Sequence, residues 1–381
     1  MKTILNSVSA FFVLCALCVL CGEFAAQDFR TLKDGVEYAE VTKEISGLKV
    51  NMNLLRLDLK KVRLDVHHAM DAAIGTEKTS SIATRHGAFA AINAGFFRLD
   101  TSIWAGDAAG ALMINGKLLS ESANDRTVLK ISNDGNITEI EIVPIKTEPF
   151  FRIGISEIGI SGINREVKNG EIVLFTPEFH NTTLTGPEVF EIAVEKDQVV
   201  YISERGSTPI VSNGFVLAAN GTEKAAFLKS FKIGDKVVLG NRFLPVPGRS
   251  PKGMFLIRTV DDIVAGVPQL IQNGKIDITW EQEKSSKAFV ETRHPRTAVA
   301  KLKNGKFLMV TVDGRSESSA GIDLNDLAAY LLELGATDAM NLDGGGSTTM
   351  FVDGKVVNKP SDKEGERKVS DAILVTLRKK K

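Results

Sequence analysis

Residues 307–352 read FLMVTVDGRSESSAGIDLNDLAAYLLELGATDAMNLDGGGSTTMFV, and this stretch decides the fold. Phe307–Val312 reads as a strand that delivers Asp313-Gly314-Arg315 at its C-terminal end, so a carboxylate and a guanidinium emerge where the chain leaves the sheet. Leu324, Leu327, Ala328, Leu331 and Leu332 then recur at helical spacing on one face, with Asp323 placed to cap the start and Gly335 to end the helix. A short strand, 339–342, runs into Asp343-Gly344-Gly345-Gly346-Ser347-Thr348-Thr349 and on to a further strand, 350–352. Three consecutive glycines between strands are expected to free several main-chain N–H groups to converge on an anion.

Working outward, apolar and polar residues alternate from Leu54 to Val66, the period of a half-buried strand. Short strand-like runs recur at 89–92, 137–143, 172–175, 190–194, 199–202 and 236–239. Asn115-Gly116, Asn169-Gly170 and Asn273-Gly274 punctuate them, and Asn-Gly pairs supply the positive φ that tight turns need. A second, shorter helix is expected around 78–86, stopped by Gly87. The expected class is α+β, a strand-rich mixed or antiparallel sheet with a few packing helices. Residues 186–239 are expected to form a β lobe inserted into the main domain, and Pro245–Gly253 a surface loop.

The first 26 residues have the parts of a secretory signal: Lys2, an apolar run from Ala10 to Cys21, and Ala25-Ala26 before Gln27. That division leaves residues 27–381 as one domain, exported to a periplasm or beyond the cell. The alternative is a lipid anchor on Cys21. The three cysteines, Cys15, Cys18 and Cys21, all lie in this segment, so a chain starting at Gln27 has no disulfide framework or thiol nucleophile. With 43% apolar and 25% charged residues the rest is ordinary for a globular protein, and no later apolar stretch reaches the length of a membrane span. Basic and acidic residues balance at 47 each without a clustered basic face, which argues against a nucleic-acid partner.

Metal chemistry has little support in the pattern. The five histidines include no His-Glu-x-x-His, and His67 and His68, adjacent on a strand, point to opposite faces. No cofactor is expected; bound calcium is left open, without EF-hand spacing to support it. Ser347 lacks a Gly-x-Ser-x-Gly elbow, which argues against a serine hydrolase.

Five motifs in order carry a resemblance: Asn93-Ala94-Gly95-Phe96-Phe97, His294-Pro295-Arg296-Thr297-Ala298, Asp313-Gly314-Arg315, Asn341-Leu342-Asp343-Gly344-Gly345-Gly346-Ser347 and Arg367-Lys368-Val369-Ser370-Asp371-Ala372. Over about residues 87–377 the chain resembles the phosphodiester glycosidase family. The resemblance implies hydrolysis of the glycosidic bond of a sugar-1-phosphodiester, of the N-acetylglucosamine-1-phosphodiester kind. It also implies a setting in exopolysaccharide or cell-envelope glycan metabolism.

The chemistry asks for particular groups. The leaving phosphate is already a stable anion, so steadying its charge matters more than protonating it. Arg296, Arg315, Arg367 and the Gly344–Gly346 amides suit that task. A carboxylate must steady the oxocarbenium-like carbon and attack it or activate water; Asp343 is placed first for this role and Asp313 second. Asn93, Ser347, Thr348, His294 and Asp371 complete the expected substrate and phosphate contacts, whereas Phe96 and Phe97 are read as packing residues. Two other readings use the same residues: a phosphodiesterase that breaks the P–O bond, and a polysaccharide-binding protein without turnover.

Overall fold

The alternating run 54–66 folds as two strands, Leu48–Leu57 and Val62–His68, which enter different sheets. The break falls at 58–61, where Asp58 accepts from the Lys60 amide through its carboxylate and from the Lys61 amide through its carbonyl. The apolar positions are odd from Leu55 to Leu59 and even from Val62, so the period of two shifts phase at Lys60-Lys61, inside this turn. The computed structural model describes residues 28–250 and 260–379. Residues 1–26, read above as an export signal and including Cys21, and residues 251–253 of the Pro245–Gly253 loop lie outside those residues.

The first sheet is antiparallel throughout, in the order Arg30–Lys33, Val36–Ile45, Leu48–Leu57, Phe307–Val312, Arg296–Leu302, Ala336–Asn341, Gln269–Gln272 and Lys275–Ile276. The second, also antiparallel, runs Lys355–Val356, Met350–Val352, Ala90–Asn93, Asp371–Leu377 and Val62–His68. A third is built on Thr127–Asp134, the long strand Ile137–Ile153 and Asp262–Ala265. The fold is α+β, rich in antiparallel strands.

A fourth sheet orders Gly162–Ile163, Ile172–Phe175, Gly214–Ala219, Phe190–Glu195 and Gln198–Ser203, with its one parallel pair between the first two. The segment 186–239 contributes three of these strands and the helix Thr222–Leu228; the other two come from earlier in the chain.

One core joins the first three sheets. Leu55 and Leu57 from the first, Leu64, Ile92 and Ile373 from the second, and Leu129 and Ile131 from the third are all 0% exposed and in one cluster. Each such side chain contributes about 1.5–3 kcal/mol on burial. The outer face of the first sheet is covered by the helix Leu324–Glu333, whose Leu324, Leu327, Ala328 and Leu331 are fully buried. Asp323 caps it by accepting from the Asn325 and Asp326 amides at 3.0 and 2.9 Å. Leu332, expected on the buried face, is 36% exposed and Tyr330 takes its place at 4%. At 100° per residue the stripe is centred between Leu327 and Leu331, which leaves Leu332 on its edge.

Candidate active site

The ladders bring six strand ends to one place. In the first sheet Arg296 pairs with Val312 and Ala298 with Asn341, so the ends that deliver Asp313 and Asp343 lie beside the start of Arg296–Leu302. In the second sheet Asn93 pairs with Ala372 and Ile92 with Met350. The turn 343–349 carries the chain from the first sheet to the second and holds the two edges together. Leu342 N donates to Thr297 O at 2.8 Å, and Asp343 N donates to Ala94 O at 2.9 Å.

Asn93 pins this junction. Its Nδ2 donates to Asp343 O at 2.7 Å, while its Oδ1 accepts from Thr297 Oγ1 at 2.8 Å and Thr349 N at 3.0 Å. The side chain is fully buried. Expected to touch substrate, it instead fixes the backbone of Asp343, as a buried amide must find internal partners.

The glycines also take a different part from the anion nest that their spacing suggests. Gly344 N donates to Oδ1 of Asp343 at 2.9 Å, and Gly345 N donates to Pro295 O at 2.9 Å. Two of the three amides are therefore committed within the protein. What the glycines provide is room. A β-carbon on Gly345, which sits at φ +60°, would lie 3.0 Å from Nη2 of Arg315, and one on Gly346 would collide with Nη2 of Arg367 and Oδ1 of Asp362. Both guanidinium groups thus pack directly on the turn. The Ser347 and Thr348 side chains, expected on phosphate, are buried, and the Ser347 hydroxyl turns toward the Asp343 carboxyl.

The three arginines are not equivalent. Arg315, at φ +57°, is exposed and has no hydrogen bond or ion pair among the described residues, so its fork is available to an anion. Arg367 is held by Asp362, with Nε–Oδ2 at 2.7 Å and Nη2–Oδ1 at 3.0 Å. Arg296 is 1% exposed. Its Nε donates to Ile322 O at 3.2 Å and its Nη2 to Phe289 O and Thr292 O at 2.7 and 2.8 Å. It ties the helix Lys287–Glu291 to the sheet, and its burial lowers its pKa to about 10. His294 is half-buried, and burial with the nearby charges of Arg296 and Arg315 lowers its pKa, which keeps it neutral at pH 7.

The carboxyls differ in the same way. Asp343 is half-buried, and burial pushes its pKa up to about 6; the negative charge of Asp371 adds to the rise, while the Ser347 hydroxyl, the Gly344 amide and the Arg367 charge oppose it. It is ionised at neutral pH and a stronger proton acceptor than an ordinary aspartate. Asp313 is 8% exposed and accepts from Lys359 N at 3.0 Å, which fastens the segment carrying Asp362 and Arg367 across the turn; burial raises its pKa. Asp371 is 1% exposed, accepts from Gly95 N at 2.6 Å and Ser370 Oγ at 2.7 Å, and is also raised by burial. It shapes the site from behind.

One group escaped the sequence reading: Asp362 is recognisable only once Arg367 is folded against it.

Comparison with known proteins bears on the family. Residues 188–376 match the family model described as phosphodiester glycosidase. A stretch of 109 residues is 37% identical to the N-acetylglucosamine-1-phosphodiester alpha-N-acetylglucosaminidase of Bos taurus, covering 26% of this chain and 20% of that protein. Over 89 residues the chain is 39% identical to the SPbeta prophage-derived protein YomE of Bacillus subtilis, covering 23% of this chain and 14% of that one. The matched stretch is thus a fifth or less of the length of these curated relatives. The crystal structure of a protein from Synechocystis superposes with a TM-score of 0.77 at 23% identity, over 92% of this chain and 64% of the other, a likeness of fold. Residues 188–376 thus carry a domain of the phosphodiester glycosidase family.

Proposed function

We propose that this protein hydrolyses the bond between the anomeric carbon and the phosphate oxygen of a sugar-1-phosphodiester of the N-acetylglucosamine-1-phosphodiester kind. The observation that carries the reading is the pairing, on one glycine turn, of a half-buried Asp343 carboxyl raised to about 6 with the unpaired guanidinium of Arg315. In the proposed step the C–O bond breaks and its electron pair leaves with the phosphate, whose charge Arg315 meets, with Arg367 adjoining. Asp343, as the carboxylate, steadies the positive anomeric carbon and either attacks it or takes a proton from the incoming water. The water oxygen ends on the sugar.

The substrate setting proposed is exopolysaccharide or cell-envelope glycan, reached after export directed by residues 1–26. Among the described residues no helix is long and apolar enough to cross a membrane.

The test is turnover of UDP-N-acetylglucosamine in oxygen-18 water by wild type and Asp343→Asn. Label in the free sugar, lost in the variant, is the expected result. Label in the phosphate instead would make the protein a phosphodiesterase, and no turnover over a panel of sugar phosphodiesters would make it a binding protein.

A further inference from the structure

The strand Val62–His68 ends in two histidines on opposite faces. His68 is 1% exposed and faces inward, its Nε2 3.1 Å from Gly106 O. His67 faces outward, half-buried, toward the helix Thr79–Arg85 and the residue that ends it, His86. The two outward imidazoles stack, with centroids 3.6 Å apart and planes inclined by 29°. Between them Met70 and Asp71 both adopt left-handed backbone, φ 56° and 54°, which turns Asp71 back over the pair. Its Oδ1 lies 2.8 Å from His86 Nε2 and 3.9 Å from His67 Nδ1.

We propose that His67, Asp71 and His86 form a site for a divalent transition metal of the zinc class, separate from the Asp343 turn. One donor atom from each of the three lies within 4.8 Å of the others. Two imidazole nitrogens and a carboxylate oxygen are the donors that zinc, copper and nickel favour and that magnesium and calcium do not. A tetrahedral zinc bound at ordinary lengths sets its ligand atoms roughly 3.3 Å apart, so the observed spacings bracket the need and the stacked rings must splay on binding. The left-handed backbone at two successive non-glycine residues is a strained conformation, held where it presents the carboxylate to both rings.

Arg85 decides how the metal enters. Its Nη1 bonds Oδ2 of Asp71 and lies 3.0 Å from His86 Nε2, while its Nη2 bonds Glu77 at 2.8 Å. The guanidinium competes with the metal for the same lone pairs. On binding it gives up His86 and stays tethered to Glu77. The bound metal clamps the turn 69–71 and the end of the helix onto the strand whose next residue, His68, pairs in register with Asp371.

The test uses the full chain with Cys15, Cys18 and Cys21 replaced by serine, so that thiolates take no metal, titrated with cobalt(II) and then zinc(II). The expected result is one equivalent of cobalt with visible ligand-field absorption, displaced by zinc, and a rise in melting temperature with zinc concentration. His67→Ala and His86→Gln should each weaken binding at least 10-fold, and Arg85→Ala should strengthen it. Circular dichroism without metal checks that the variants fold. If one histidine variant fails to fold, the other and Asp71→Asn carry the comparison. Absence of the cobalt spectrum, or an unchanged spectrum in the histidine variants, overturns the proposal, and neither readout depends on hydrolytic activity.

Discussion

Arg296 and Arg315 carry the same group to opposite uses. Replacing the exposed Arg315 with Ala should lower kcat/KM on a sugar phosphodiester by about 10²-fold, the usual loss on removing one charge-stabilising donor, and leave the melting temperature within about 1 °C. Arg296→Met should do the reverse in emphasis. It strips the main-chain carbonyls of Phe289, Thr292 and Ile322 of their donor, at a cost of about 2–4 kcal/mol, visible as an early thermal transition. If both variants lose activity and stability in equal measure, the division of labour is wrong. For Asp343 the raised pKa fixes two signs. Activity should fall as pH drops through about 6, where the carboxylate takes up a proton, and Asp343→Asn should lose at least about 10³-fold in kcat with no such limb. A carboxyl raised in the fold favours its protonated form, so its contribution to stability is present below the ordinary value of 3.8 and lost as pH rises through about 6. The Asn variant should therefore gain melting temperature relative to wild type between pH 4 and pH 8; a constant difference across that range would count against the shift. Asp343 and Arg315 were legible as a glycine-flanked carboxylate and a guanidinium at a strand end. That Arg296 is buried was not, because His294-Pro295-Arg296 reads alike whether the side chain meets carbonyls or phosphate.

At the scale of elements, the turn 343–349 has the most exacting requirements. Gly346→Ala pushes a methyl group into the Arg367–Asp362 pair, so the arginine or the turn must move. We expect loss of activity together with a lowered melting temperature, and a variant with both intact would show that the pair yields freely. The helix Leu324–Glu333 lies on the outer face of the first sheet, so Asp323→Ala should cost about 1 kcal/mol of capping and leave kcat/KM unchanged, as chemical denaturation and steady-state rates can check. This helix was readable because its cap, stripe and stop all agree. The turns at Asn115-Gly116 and Asn273-Gly274 were too, and all four residues adopt the positive φ their chemistry allows. The break at 58–61 is marked only by a shift of phase at Lys60-Lys61, where the apolar positions pass from odd to even, and reading 54–66 as one alternating run overlooks it.

At the scale of the molecule, three sheets share one core, and damage to it should be felt by all of them. Leu64→Ala, at a fully buried position of that core, should cost about 2–5 kcal/mol and lower the stability of the whole active-site region in step, as hydrogen exchange in strands 90–93 and 296–302 would show. Exchange that quickens only around Leu64 would argue for separate units. The sequence by itself determined the strand-rich α+β class, the capped helix and the glycine turn with its aspartate, because each depends on residues near one another along the chain. Only the tertiary structure decided that Asn93 is a pin and that the glycines make room for guanidinium groups. It alone brought Asp362 to Arg367, and His67 and Asp71 to His86. Those outcomes depend on ladder register and on the crossing between two sheets, which join residues as distant as Asn93 and Thr349, 256 positions apart, and leave no local pattern to read.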